Sequence, residues 1–351
     1  MQHPKISVVI LNYNGMKFVA NCLKSLLLTN YPDFEVLFLD NASSDGSREY
    51  LRDAIERLGL SNFKFIPLDR NYGFAKANNI GVALTDPKSE FIIFLNNDTE
   101  VEPDWLQEII KFMQEHRDVG IAQCKQRSLK GRKYIDSAGG VIDYIGRSLI
   151  IGSGELDDER FSRPYEIFYA QGSSLIIRRE LLKRIGLFDE DYFINYEETD
   201  LCWRARLSGL KVAFIPTAII YHYGGATIGQ LQNPFHVYHT RKNHIVTLLK
   251  NYSLSNAIKY VTYLYIKYVM FTMKLLSEKK IQCASAYVKA MIWPIINLKK
   301  IATARNIVQK FVRRVSDEEI MEKMLDFRVY EALKPAMILR NILRAKRYES
   351  A

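Results

Sequence analysis

Phe91-Ile92-Ile93-Phe94-Leu95-Asn96-Asn97-Asp98 is the stretch from which the rest of the 351-residue chain can be read. Five bulky apolar residues without interruption predict a strand buried on both faces, as in a parallel sheet covered by helices. A carboxylate among amides at the carboxyl end of such a strand lies where open α/β sheets bind their ligands. One hard oxygen ligand there can hold a divalent cation against a diphosphate.

Working outward, residues 6–11 predict a first strand, followed by a turn at Tyr13-Asn14-Gly15 and a helix carrying Phe18, Cys22, Leu23, Leu26 and Leu27 at helical spacing. Residues 34–39 and 63–68 predict two further strands, separated by the polar loop of residues 40–47 and a helix that this loop caps. The order βαβαβ implies right-handed crossovers and a mostly parallel sheet. Residues 71–83 read as a loop and helix leading into the Phe91 strand. Beyond Asp98 the pattern predicts a helix from Pro103-Asp104-Trp105 to about Glu115, then a strand over residues 120–124. Residues 126–165 lose periodicity and suggest a hairpin region or mobile loop. A strand over 168–177 broken by Gln171-Gly172-Ser173-Ser174, a helix over 179–185, a helix over 197–207 stopped by Gly209 and a strand over 212–215 complete an α/β domain expected to span residues 1–250.

The net charge of +10 is unevenly placed: residues 1–250 hold 30 Lys+Arg against 31 Asp+Glu, and residues 251–351 hold 19 against 8. The last hundred residues read as helical. Lys259, Lys267 and Lys274 fall within about 80° of one another on a helix, opposite Val261, Tyr265, Val269 and Leu276. No stretch reaches the roughly 20 uncharged apolar residues of a membrane span, so this region is expected to lie on an anionic membrane surface. Four cysteines without a CxxC pair point to a reducing compartment. The apolar run at residues 6–11 is too short for a signal peptide, so the expected location is cytoplasmic, peripheral on the inner face of the cell membrane.

Four polar segments at predicted strand ends carry the chemistry: Asn12-Tyr13-Asn14-Gly15, then Asp40-Asn41-Ala42-Ser43-Ser44-Asp45-Gly46-Ser47, then Asn71-Tyr72-Gly73-Phe74-Ala75-Lys76, then Asn96-Asn97-Asp98. With Tyr196-Glu197-Glu198-Thr199-Asp200-Leu201-Cys202-Trp203-Arg204, His222 and Arg241-Lys242-Asn243, this order resembles a family 2 glycosyltransferase, most closely its rhamnosyltransferase-like branch, over roughly residues 5–250. The resemblance implies a GT-A fold, a Rossmann-like, mostly parallel sheet with flanking helices, and inverting transfer from a nucleoside-diphosphate sugar, UDP- or dTDP-linked. The acceptor it implies is a saccharide or polyprenyl-linked saccharide. Asp98 stands at the second acidic position of the family's metal motif, with Asn96 replacing the first, and His222 is the second implied ligand for Mn²⁺ or Mg²⁺. Glu198 is the implied general base. Glu197, Asp200 and Gly172 are the implied acceptor contacts; Asn12, Tyr13, Asp40, Asn71, Gly73, Lys76 and Asn97 line the implied nucleotide site, with Asp40 accepting from a pyrimidine N3–H and Tyr13 packing on the ring.

The residues keep other readings open. Asp200 can form an i,i+4 pair with Arg204. Gly172 can mark a strand kink, and Tyr13 can be ordinary loop packing. At a helix start, first-turn amides and the macrodipole are expected to favour ionised Glu197 and Glu198. The absence of GxGxxG after Leu11 argues against a dinucleotide oxidoreductase. The basic tail interleaves its aromatics with aliphatics, which favours lipid over nucleic acid. A non-catalytic relative that binds nucleotide sugars is the remaining alternative.

Overall fold

The structure, a computed structural model, describes residues 3–224 and 233–326. Its first half alternates as expected: β1 (Ile6–Asn12), α1 (Val19–Leu27), β2 (Phe34–Asp40), α2 (Ser47–Leu58), β3 (Phe63–Pro67), α3 (Gly73–Leu84) and β4 (Phe91–Asn96). Then come β5 (Thr99–Val101), α4 (Trp105–Glu115), β6 (Val119–Ser128), β7 (Ile135–Ser137), β8 (Gly140–Ile142), β9 (Ser148–Ile150), β10 (Tyr165–Glu166), β11 (Ser174–Arg178) and α5 (Arg179–Ile185). The chain continues through α6 (Glu197–Leu207), β12 (Lys211–His222), α7 (Pro234–Asn251), α8 (Leu254–Ser277), α9 (Ile281–Ile296), α10 (Leu298–Ile307) and α11 (Asp317–Met321).

The main sheet runs β10-β12-β6-β11-β4-β1-β2-β3, with β5 on β12 and β7 on β6. β1 pairs in parallel with β2 and β4, and β12 in parallel with β6, while β11 runs antiparallel between β4 and β6. This topology brings the carboxyl ends of β1, β2, β3, β4, β6 and β12 to one edge of the sheet, and β11 starts there. The order reverses at β1: β2 and β3 lie on one side of it and β4 on the other, which is where such sheets open a crevice for ligands. Val8 to Ile10 and Phe91 to Leu95 are almost fully buried, as an uninterrupted apolar run requires when helices cover both faces.

Several sequence expectations need correction. The strand expected over 212–215 is 12 residues long and runs on to His222, its register slipping between Ile215 and Ile219 so that Pro216 sits in a bulge where no ladder N–H is needed. The strand expected over 168–177 is confined to Ser174–Arg178. Residues 126–165 are a set of short strands whose β7 joins the main sheet.

Residues on both sides of position 250 pack together. Trp203, Tyr252, Tyr260, Leu264, Tyr268 and Met324 share one buried cluster with Val9 and Leu37 of the first strands. On α8 the stripe facing the protein is Ala257, Tyr260, Leu264, Tyr268 and Leu275. Val261 and Tyr265 are partly buried against it, whereas Val269 and Leu276 face out. Among the described residues no helix is long and apolar enough to cross a membrane. Residues 327–351 of the expected basic region lie outside the described residues.

Candidate active site

The nucleotide-side residues form a closed hydrogen-bond lattice at the β1 crevice. Asn12 Nδ2 donates to Asp40 Oδ1 (2.9 Å), Ser47 Oγ (2.9 Å) and Ser43 Oγ (3.1 Å), and Asn97 Nδ2 donates back to Asn12 Oδ1 at 2.7 Å, linking β1 to the β4 turn. Gly15 is required by this approach: a Cβ there would stand 2.0 Å from Asn97 Nδ2. Asp40 Oδ2 accepts from the Ser43 amide at 3.0 Å, and the side chain is fully buried. Each oxygen of this buried carboxylate accepts one hydrogen bond from the surrounding loops. Asp40 and the equally buried Asn12 set the two loops in place. Tyr13, 51% exposed, is free to lie against a ring.

Asn71 Oδ1 accepts from Asn41 Nδ2 (2.9 Å) and the Gly73 amide (2.8 Å). Gly73 adopts φ +75°, and a Cβ there would meet the Phe193 carbonyl at 2.6 Å. The close approach that Gly73 permits is thus to the loop before α6. Lys76 pairs on the surface with Glu190 at 3.1 Å. Gly172 precedes β11 and packs on Phe74, whose Cζ a Cβ would meet at 2.8 Å, so it is not a kink within a strand.

Asp98 and His222 meet because β5 turns straight back from β4 and pairs with the end of β12, Thr99 opposite His222, with the Tyr223 amide on the Asp98 carbonyl at 3.0 Å. His222 Nε2 stands 3.3 Å from Asp98 Oδ1, and Nδ1 stands 2.8 Å from Asp136 Oδ2. Asp136 lies on β7, at the other side of β6 from β12. Burial lowers the His222 pKa, but the charges of Asp98 and Asp136 outweigh it and hold the pKa well above that of an ordinary histidine. A ring nitrogen that attracts a proton between carboxylates also suits a cation, and an Nδ1–H donated to Asp136 leaves the Nε2 lone pair for it. Asp98 and His222 fit such an ion. Among the described residues no group of three or more His, Cys, Asp or Glu is placed to hold one alone, so phosphate oxygens of a ligand would have to complete the shell.

Glu197 and Glu198 open α6 behind three strained positions: Phe193, Asn195 and Tyr196 all have positive φ, at 61°, 69° and 70°, with only Ile194 interrupting them. Asn243 holds this loop, its Nδ2 donating to the carbonyls of Tyr192, Ile194 and Asn195 at 2.7–2.9 Å. Glu198 lines a pocket of about 190 Å³ with Tyr169, Tyr196, His236, Thr240 and Arg241. The Oε2 atoms of both glutamates are buried without a hydrogen-bond partner. Burial raises the Glu198 pKa to about 7, and burial plus the Glu198 charge pushes Glu197 well above the carboxylate range. The expectation that the helix start would favour ionised carboxylates is corrected: desolvation exceeds the helix-terminal effect, which is worth about 0.3–1 kcal/mol.

Asp200 is not an acceptor contact. It is fully buried and bonded to Arg204 Nε (2.9 Å), Lys250 Nζ (3.1 Å) and Asn251 Nδ2 (2.9 Å). Burial alone would raise its pKa, but Lys250 and Arg204 bring it down to about 2. The i,i+4 reading is the one observed, extended to a link between α6 and α7. Asp136, Asn243 and His236 were not singled out in the sequence. Asp136 lay in a segment without periodicity, and Asn243 was visible only as part of a motif.

The model of glycosyl transferase family 2 matches residues 7–186, just over half of the chain. The chain belongs to glycosyltransferase family 2. This glycosyltransferase is 26% identical over 255 residues to the dTDP-rhamnosyl transferase RfbF of Shigella flexneri, covering 70% of this chain and 81% of that protein. It is 22% identical over 281 residues to a low-salt glycan biosynthesis hexosyltransferase of Haloferax volcanii, covering 79% and 86%. A Sinorhizobium fredii protein, y4gI, is 27% identical over 247 residues, and there the chain spans only 26% of the relative's length. The fold matches solved structures of GalNAc-T7 with UDP, GalNAc and Mn²⁺ (TM-score 0.60, 17% identity, 90% of this chain and 59% of that one) and of a mannosyltransferase from Pyrobaculum calidifontis with GDP-Man and Mn²⁺ (TM-score 0.53, 14% identity, 88% and 86%). The glycosyltransferase therefore has the GT-A architecture that its sequence led one to expect.

Proposed function

We propose that the enzyme transfers a sugar, with inversion, from a UDP- or dTDP-linked donor to a hydroxyl of a saccharide or lipid-linked saccharide. The acceptor hydroxyl gives its proton to Glu198, its oxygen bonds to the anomeric carbon, and the bond to the nucleoside diphosphate breaks with the electron pair leaving on phosphate oxygen. Asp98 and His222 would hold a divalent cation, Mn²⁺ or Mg²⁺, which when bound offsets the charge on that diphosphate. The observation that carries the reading is Glu198: an unpartnered, buried carboxylate oxygen facing a pocket, with a pKa raised to about 7. A base is most effective when its pKa lies near the working pH. The UDP and Mn²⁺ of the GalNAc-T7 complex support the donor class.

A membrane-facing acceptor is supported by α8 and α9. Ile258, Ile266, Met270 and Met273 on α8, and Ile292, Ile295 and Ile296 on α9, are between 45% and 76% exposed, with Lys259, Lys267 and Lys274 flanking the α8 row. Such a face suits an anionic lipid surface.

Glu198→Gln is expected to lower kcat by about 10²–10⁴. Because the Glu198 pKa is raised, the base form is populated only above about pH 7, so wild-type kcat/KM should rise through pH 7 and level off. The same shift means ionisation costs folding stability as pH rises above the unfolded carboxyl value, so Glu198→Gln should raise the Tm at pH 8 and not at pH 4. Full turnover by Glu198→Gln in a donor-hydrolysis and transfer assay would remove Glu198 from the role.

A further inference from the structure

Three buried polar atoms without a hydrogen-bond partner face the pocket in front of Glu198: Glu198 Oε2, His236 Nδ1 and Arg241 Nε. Glu198 is accounted for by the transfer reaction. Arg241 and His236 are not. Arg241 lies over the rings of Tyr268 and Tyr287, with its guanidinium carbon 5.5 and 5.2 Å from their centroids, and among the described residues no carboxylate pairs with it. Of the buried cations near α6 and α7, Arg204 and Lys250 are matched by Asp200 and Arg206 by Glu166, while Lys242 donates to the Asp191 carbonyl. A guanidinium taken out of water without a counter-charge is costly, and ring stacking recovers only part of that. Tyr268 and Tyr287 also face the guanidinium with their hydroxyls, which leaves Nε as its N–H without a partner, the kind of donor that an anion takes.

We propose that Arg241, assisted by His236, is an anion subsite for a phosphate of the acceptor, so that the saccharide accepted by this enzyme is phosphate-bearing. This rests on the reading of the Glu198 pocket as the acceptor side. His236 enters as a neutral ring, since burial lowers its pKa, and can donate through Nδ1. On the opposite face of the first turns of α7, Phe235, Tyr238, Ile292, Trp293 and Ile296 line an apolar groove of about 530 Å³. The phosphate can therefore belong either to a soluble sugar phosphate or to a lipid-linked one.

The test titrates inorganic pyrophosphate, and separately farnesyl diphosphate, into the full chain already saturated with Mn²⁺ and whichever of UDP, dTDP or GDP binds. Wild type should bind a further equivalent. Arg241→Gln should weaken that binding about tenfold or more, Arg241→Lys should restore part of it, and nucleotide affinity should stay within about twofold. Tighter binding of farnesyl diphosphate than of pyrophosphate assigns the phosphate to a lipid carrier, and equal binding assigns it to a soluble acceptor. The proposal is overturned if nucleotide-saturated wild type binds no pyrophosphate, if Arg241→Gln binds it unchanged, or if nucleotide affinity falls as far as pyrophosphate affinity. Where Arg241→Gln lowers the yield of folded protein, the wild-type titration and Arg241→Lys decide. Should no nucleotide bind, the donor reading fails, and pyrophosphate binding by wild type against Arg241→Gln still decides the subsite.

Discussion

The two ends of the ligand-binding edge are built by opposite means. On the β1 side, Asn12, Asp40, Ser43, Ser47 and Asn97 satisfy one another within about 3 Å, and the carboxylate among them is spent on fixing loops. On the α6 side, Glu197, Glu198, His236 and Arg241 keep buried polar atoms unpartnered behind a loop with three positive-φ residues. A satisfied lattice is rigid before any ligand arrives. An unsatisfied one stores its desolvation cost until a ligand supplies the missing partners. The β1 side is thus preformed, and the α6 side rests on the ion network of Asp200, Arg204 and Lys250.

That contrast breaks most directly at Asp200. Asp200→Asn leaves Lys250 and Arg204 buried without their shared carboxylate, and is expected to cost about 3–5 kcal/mol of stability. Denaturant unfolding would read this. The wild-type contribution should persist above the unfolded carboxyl pKa and be lost only as pH falls toward 2, since the folded pKa is depressed. A loss below about 1 kcal/mol would mean that the network is not what holds α6 to α7.

A smaller effect is expected at Asp136. Asp136→Asn should weaken activation by Mn²⁺ about 10–100-fold, because the carboxylate behind His222 orients its ring. Metal titrations of donor hydrolysis measure this, and an unchanged metal requirement would show that the β7 carboxylate plays no part. The smallest effect concerns the outer face of α8. Replacing Lys259, Lys267 and Lys274 by Gln should lower the affinity for vesicles containing anionic lipid by about 1 kcal/mol per residue, read by flotation. Retention on vesicles regardless of lipid charge would place the attraction in the apolar row alone, and no flotation of wild type would remove the membrane reading.

Legibility in the sequence followed the same divide. Asp98, Asn97, Gly15 and the loop 40–47 announced themselves because turn residues directly after apolar runs are a local signal. Glu198 was visible as a residue type at a helix start, but its raised pKa was not, since desolvation depends on neighbours contributed by β8–β9, α7 and the strained loop. Asp200 was misplaced for the same reason: its partners Lys250 and Asn251 lie some fifty residues away, and only the packing of α7 on α6 makes them its counter-charges.

By itself the sequence determined the α/β class, the order of strands and helices, the family, and which residues could do chemistry, because hydrophobic period and turn chemistry are set by neighbours a few residues away. The tertiary structure alone decided that Asp98, His222 and Asp136 meet, that Asp40 and Asp200 face inward, and that Glu198 and Arg241 share a pocket. Those outcomes depend on strand pairing and burial, which are sums over residues far apart in the chain.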